Sequence, residues 1–333
     1  MPAASSTRTR ILSGLGFLAF LFLSTLALLS LLEVTARVAF PFVNRQGTDR
    51  TLLRRGGAGE SVGWVPNARG TSFDAVFETD ERGFRRIGGP ARYDEAWLLL
   101  GDSVTVGVGV PAEETFPALL QAAHPALRVL DTAVIGYSID DYVTVLRELT
   151  SGAEPVRRVI VFLCLNDAAE RMAPEAAGSL VDHVRFWLRD QSVFYQWLKG
   201  VLTDRSRVYY EAAAASYTNG DSGWQRLAAG LGELRRIAAQ RGLELRVVVL
   251  PFEAQLRSSD PGLLVPQRML HDRLASLGIP ALDLTPAFAA TEMPPQDLFL
   301  WKDAMHLSPA GHALAARAVE AWLGADPASG SPP

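Results

Sequence analysis

Cysteine occurs once in the 333 residues, at Cys164. One thiol cannot close an internal bridge, so a disulfide scaffold is excluded, and it gives no vote on redox compartment. An excess of basic charge is also missing: 32 Lys and Arg stand against 36 Asp and Glu, for a formal net charge of −4. A nucleic-acid binder normally needs a basic stripe to replace phosphate counterions, so no nucleic acid is expected as partner. Nor is the chain short of apolar residues. At 48% hydrophobic and 20% charged it is neither a disordered nor a collagen-like chain. Its mean hydropathy of +0.12 is high for a soluble enzyme, and the excess is unevenly distributed.

Ile11 to Leu32 is a run of 22 residues without a charge, ten of them leucine. As an α-helix it would span ~33 Å, enough for a hydrocarbon core of ~30 Å. A cleaved signal peptide has a shorter apolar stretch, usually ~7–15 residues. Arg37 falls at position −3 of the otherwise plausible cut after Ala39, and no cysteine lies nearby to accept a lipid. The length therefore predicts an uncleaved signal anchor over 11–32, after a short tail at 1–10, with the membrane as partner. Arg8 and Arg10 precede the helix and Arg37, Arg45 and Arg50 follow it, so the positive-inside rule does not fix the orientation.

Residues 33–60 read as a stalk, since Arg45 to Glu60 is rich in Arg and Gly without apolar periodicity. A globular domain is expected over 61–325, and a flexible tail over 326–333. Within the domain Val76 to Arg85 looks like a short extended segment, a turn and an arginine-bearing return. Continuous apolar runs at Ala96–Leu100, Arg128–Leu130, Val159–Leu163, Leu245–Leu250 and Ala281–Leu284 suit parallel strands buried on both faces. Amphipathic patterns at Thr115–Ala123, Asp140–Thr150, Trp224–Arg241, Arg268–Leu277 and Pro309–Leu323 alternate with them. The alternation predicts an α/β class, a three-layer α/β/α domain with a mostly parallel sheet. An aromatic-rich helical stretch at 174–203 interrupts it. Its rings pack as core, or form a cap over an apolar pocket or a surface lying on a bilayer.

In such sheets ligands sit beyond the carboxyl ends of the strands. The first strand is followed by Gly101-Asp102-Ser103, which places a serine hydroxyl at that edge. A serine is a weak nucleophile until a base takes its proton and a third group orients the base. Asp303-Ala304-Met305-His306 supplies both in one tight segment, with the carboxylate three residues before the imidazole. Acyl transfer also needs donors aimed at the developing oxyanion. The Asn166 side chain follows the third strand, the Gly136 N–H follows the second, and the Ser103 N–H is the third donor. Alone, Ser103 or Asp102 would read as a helix N-cap, and Asp303 as a cap of the last helix. His124, His183, His271 and His312 have no acidic or serine block around them and read as structural or solvated. Cys164 reads as a small buried filler.

Ser103, Gly136, Asn166 and the Asp303/His306 pair, in this order and spacing, resemble the SGNH superfamily of GDSL-type esterases and lipases over about Ala96 to Leu323. Cys164 departs from the glycine that family often carries two residues before the asparagine. The resemblance implies a flavodoxin-like fold and serine acyl transfer without metal or cofactor. It assigns Ser103 as nucleophile, His306 as base and Asp303 as its orienter, with Ser103, Gly136 and Asn166 as the oxyanion hole. Together with the anchor, the Gly83-Phe84-Arg85 segment resembles a bacterial envelope subgroup. That implies the inner (cytoplasmic) membrane, a catalytic domain on its outer, periplasmic side, and ester or acylated-glycan substrates.

The same residues would serve an O-acyltransferase moving acetyl groups to a glycan, or, without activity, an interaction module. A dinucleotide site is the rival from another class, because Gly107 to Ala112 matches G-x-G-x-x-A. That motif should start at the strand end, whereas Gly107 comes six residues after Gly101 and Pro111 lies where the helix should open. Sequence gives Arg85, Glu253 and Gln255 no role.

Overall fold

The computed structural model describes residues 4–54, 63–152, 154–168 and 179–325, without the side chains of 4–13. The expected tail at 326–333, the stalk residues 55–60, the domain's expected first residues 61–62 and residues 174–178 of the interruption lie outside them.

The chain begins with α1 (Ala4–Ala39), 36 residues long, which extends the apolar run by about two turns at each end. Its Gly14–Ala39 part is long and apolar enough to cross a membrane by length and composition. Two short antiparallel pairs follow, β1 (Leu53–Arg54) with β2 (Gly63–Trp64) and β3 (Arg69–Ser72) with β4 (Ala75–Glu78). The expected extended segment and arginine return are β4 and the Thr79–Arg85 bridge. The β3 partner was not legible, because its two-residue turn is Phe73-Asp74, both at positive φ, rather than the Asn-Gly type such hairpins favour.

The main sheet comprises β5 (Ala96–Leu100), β6 (Arg128–Asp131), β7 (Val156–Leu163), β8 (Glu244–Val249) and β9 (Ala281–Asp283). All four pairings are parallel, in the order β6-β5-β7-β8-β9. In strand order this is 2-1-3-4-5, the flavodoxin-like arrangement, with helices on both sides. All five residues of β5 are buried, as are the last six of β7. A buried leucine contributes roughly 1.5–3 kcal/mol relative to exposure, so these runs are a large part of what holds the layers together.

The helices after α1 are α2 (Ser103–Val106), α3 (Phe116–Ala123), α4 (Ile139–Leu149), α5 (Leu180–Gln191), α6 (Val193–Leu202), α7 (Arg205–Ala214), α8 (Ser222–Arg241), α9 (Glu253–Leu256), α10 (Val265–Ser276), α11 (Thr285–Ala289) and α12 (Pro309–Ala325). Helix α8 shows local causes at both ends. The Asp221 carboxylate accepts from Gly223 and Trp224 N–H, and Gly242 ends it at φ 64.

The aromatic-rich interruption forms α5 and α6. Phe194 and Trp197 pack with Ala36, Phe40, Val43, Val193 and Trp301, and the Phe40 ring stacks on Trp197 at 4.8 Å. Glu33 of α1 caps α6, accepting from Ser192 Oγ at 2.7 Å, Val193 N at 3.0 Å and Phe194 N at 3.1 Å. Two of its aromatics thus form a seat for the end of α1, while Trp187 is 62% exposed. The segment after α1, expected as stalk, is folded onto the domain in its described part. Asp49 N–H donates to Thr71 C=O and Val65 N–H to Leu52 C=O.

Candidate active site

The chain passes from β5 to β6 on one flank of the sheet and from β7 to β8 on the other, so the loops after β5 and β7 diverge and leave a crevice between their carboxyl ends. Ser103 follows β5 and Asn166 follows β7, which puts both beside this switch point. Asp102, not Ser103, is the N-cap of α2, its carboxylate accepting from Val104 N–H at 2.9 Å. Ser103 at the first helical position is thereby free to point its hydroxyl elsewhere. Its own N–H belongs to the helix-start donors that have no intrahelical acceptor.

His306 Nε2 lies 2.9 Å from Ser103 Oγ, and His306 Nδ1 lies 2.9 Å from Asp303 Oδ1. Asp303 Oδ1 also accepts from the backbone N–H of Met305 and His306, both at 3.0 Å. The loop carrying both residues is pinned: Leu300 N–H donates to His306 C=O at 2.8 Å and Glu253 N–H to Ala304 C=O at 2.8 Å. Burial works to raise the Asp303 pKa. The His306 charge, the His306 side-chain hydrogen bond and the two backbone donors outweigh it, so the carboxylate lies well below its usual range. Burial alone would lower the His306 pKa. Asp303, by charge and hydrogen bond, and then Asp102, by charge, bring it above the ordinary histidine value, with Arg205 opposing.

Asn166 Nδ2 donates to Asp102 Oδ2 at 3.0 Å, which uses one of its two amide hydrogens and ties the β7 loop to the residue before Ser103. Asp102 is wholly buried. Desolvation raises its pKa against the Asn166 and Val104 hydrogen bonds and the His306 charge. Gly136 lies on the turn after β6, the neighbour of β5, and Val134 N–H in that loop donates to Gly101 C=O at 3.4 Å. A Cβ at Gly136 would meet nothing within 4 Å, so φ 77 rather than crowding requires glycine there. Ser103, His306 and Asp303 are joined directly, Asn166 through Asp102, and Gly136 sits on the adjoining strand end.

Gly107 and Gly109 face packed side chains. A Cβ at Gly107 would meet Thr115 Cγ2 at 2.5 Å, and one at Gly109 would meet Leu300 Cδ1 at 2.6 Å. The segment behind the dinucleotide reading is therefore packed protein. Arg85 holds it, donating to the carbonyls of Val106, Gly107 and Val110. Sequence marked Arg85 without a role; its carbonyl partners are visible only in the fold. Burial pushes its pKa down to about 10, against the charges of Asp131 and Glu113. Glu253 and Gln255 are buried, and Gln255 bonds Gln267. His312 is buried and its Nδ1 accepts from Phe116 N–H at 3.1 Å. Cys164 is buried too, and desolvation pushes its thiol pKa well up, as suits an inert filler. Two partners of the site had no signal in the sequence: Gln46, whose Nε2 donates to Asp303 Oδ2 at 3.1 Å, and Phe73, whose ring centre lies 5.1 Å from that of His306.

Among solved structures the chain is similar to a lipolytic protein of the G-D-S-L family from Veillonella parvula, at 13% identity and TM-score 0.43, covering 70% of this chain and 100% of that one. It is also similar to the acetylxylan esterase Axe2 from Geobacillus stearothermophilus, at 17% identity and TM-score 0.44, covering 72% and 97%. The TesA structure aligns at 15% identity and TM-score 0.43 over 68% and 97%. No curated protein matches by sequence. Residues 99–314, more than half of the chain, match the GDSL-like lipase/acylhydrolase family, and the chain belongs to that family of ester-hydrolysing enzymes.

Proposed function

We propose that this enzyme is a serine esterase that removes O-acyl groups, with Ser103 as nucleophile, His306 as general base and acid, and Asp303 as the group that orients His306. The observation that carries this reading is the hydrogen-bond chain from Asp303 through His306 to Ser103. Ser103 Oγ attacks the ester carbonyl carbon while its proton passes to His306 Nε2. The carbonyl oxygen becomes an oxyanion, held by the N–H groups of Ser103 and Gly136 and the remaining amide hydrogen of Asn166. On collapse the carbon–oxygen ester bond breaks and His306 returns the proton to the leaving alkoxide. Water, deprotonated by His306, then attacks the acyl-enzyme and releases the acid and free Ser103. Asp303 stays ionised throughout and stabilises the imidazolium.

α1 anchors the enzyme in the cytoplasmic membrane, with the domain on its outer side, where acyl groups on envelope polysaccharide are the substrates in reach. The length and apolar composition of α1 support the anchor. Full-length protein in detergent, assayed with p-nitrophenyl acetate and longer esters, tests the chemistry. Ser103→Ala and His306→Ala are expected to lose about 10⁴-fold or more in kcat, and a fluorophosphonate should label Ser103. Equal turnover in all three proteins, with no label, overturns the serine mechanism. Transfer of acetyl to an added glycan in preference to water would make the enzyme an acyltransferase. An alkaline phosphatase fusion beyond residue 54 that stays inactive would overturn the outward topology.

A further inference from the structure

The two oxygens of Asp303 are served by different parts of the chain. Oδ1 takes His306 Nδ1 and two backbone N–H groups from its own loop. Oδ2 takes Gln46 Nε2, from a residue 257 positions earlier that lies just past the end of α1. The Asp303 side chain is 7% exposed, so water is a poor substitute there. An ionised carboxylate only accepts, which fixes the Gln46 amide with its nitrogen toward Asp303.

The segment around Gln46 is itself held at several points. Asn44 Nδ2 donates to Phe73 C=O at 2.9 Å and Phe73 N–H donates to Gly47 C=O at 2.9 Å. Arg45 bonds Asp74 through its backbone N at 2.7 Å and its Nε at 2.8 Å, and Gln46 N–H donates to Arg189 C=O at 3.3 Å. These contacts grip Phe73 and Asp74, at φ 49 and φ 67, a left-handed pair unusual for a bulky residue. Strained backbone persists where surroundings over-determine it, often beside active sites. Here the gripped Phe73 sets its ring edge-on to His306, at 66° between the planes.

We infer that Gln46 is a positioning residue for the triad, delivered by the short segment between α1 and the domain. This rests on the triad reading above. Gln46 holds the second oxygen of Asp303, so that the first stays aimed at His306 Nδ1, and the same segment sets Phe73 against the imidazole. The charged groups acting on His306 are Asp303, Asp102 and Arg205, none of which a change at Gln46 removes.

The test is full-length Gln46→Ala and Gln46→Glu in detergent, beside wild type and Ser103→Ala, with active sites counted by fluorophosphonate burst. In Gln46→Ala, kcat per labelled site should fall about ten- to a hundred-fold, the loss expected for one hydrogen bond to a charged group. KM should stay within about twofold, since Gln46 is not proposed to touch substrate. With one donor fewer, the Asp303 charge is less dispersed and draws the His306 proton more strongly, so the acid limb of kcat/KM should move to higher pH. Gln46→Glu, which sets a second carboxylate against Oδ2, should move it further. Wild-type kcat and an unmoved acid limb in Gln46→Ala overturn the inference, as does a loss explained wholly by fewer labelled sites. Activity surviving in Ser103→Ala would instead overturn the triad reading on which it stands.

Discussion

One buried carboxylate, Asp102, accepts from Val104 N–H through Oδ1 and from Asn166 Nδ2 through Oδ2. The start of α2 and the loop after β7 are therefore set by the same side chain. Asp102→Ala leaves both donors buried without their acceptor, at about 1–3 kcal/mol each. Asn166→Ala should lower kcat about 10²–10³-fold if its amide serves the oxyanion. The double variant should cost clearly less than the sum of the single losses in activation free energy, because part of what Asp102 contributes passes through Asn166. Additive losses in a double-mutant cycle would show that the two act separately.

The proposed triad predicts a particular pH profile. The base must be neutral and its pKa is raised, so kcat/KM should rise with pH through an apparent value above 6.5. In Asp303→Asn the largest remaining influence is burial, which lowers the histidine pKa, so the acid limb should move down while kcat falls steeply. Stability should follow the carboxylate. Its folded pKa is depressed, so its contribution is present above the unfolded value of 3.8 and is lost as pH falls through the folded one. The melting temperatures of parent and Asp303→Asn should thus differ most near neutral pH and converge in strong acid.

Arg85 is tested by unfolding. It is 2% exposed and serves three carbonyls at the end of α2 and in the loop after it. Arg85→Ala should destabilise the domain by about 3–5 kcal/mol in denaturant titration. Arg85→Lys should recover little, because an ammonium lacks the planar fork that spans several acceptors. A lysine variant within about 1 kcal/mol of wild type would contradict this account.

Glu33 provides a check on the seat of α1. Its carboxylate takes Ser192 Oγ and two backbone N–H groups at the start of α6. Glu33→Ala should cost roughly 1 kcal/mol, as loss of an N-cap does. Limited proteolysis in detergent should then cut the α5–α6 junction faster than in wild type, with the active-site count unchanged.

The sheet and most residues of the candidate site were legible in the sequence, for a physical reason. Strands buried on both faces must be apolar at every position, so β5 and the last six residues of β7 stand out as runs, and their ends show where Ser103 and Asn166 emerge. The reach of α1 was less clear, because a long helix leaves the apolar window at both ends without changing character. The β3–β4 hairpin was invisible because Phe73-Asp74 carries no turn signal and is held by tertiary contacts. Gln46 was read within a stalk because a polar segment with no period looks the same whether it is solvated or docked. The G-x-G pattern at Gly107 was visible too, but its glycines make room for Thr115 and Leu300, which no local pattern announces.

Gln46 comes seven positions after Ala39, at most about 25 Å of chain, and Phe40 is already stacked on Trp197. On the proposed anchoring of α1 in a bilayer, the Ser103 hydroxyl would work at a short height above the lipid headgroups. An enzyme leashed that closely would not search a volume. It would sweep a plane, and the number of ester groups per area of membrane, rather than their bulk concentration, would set how often it meets one.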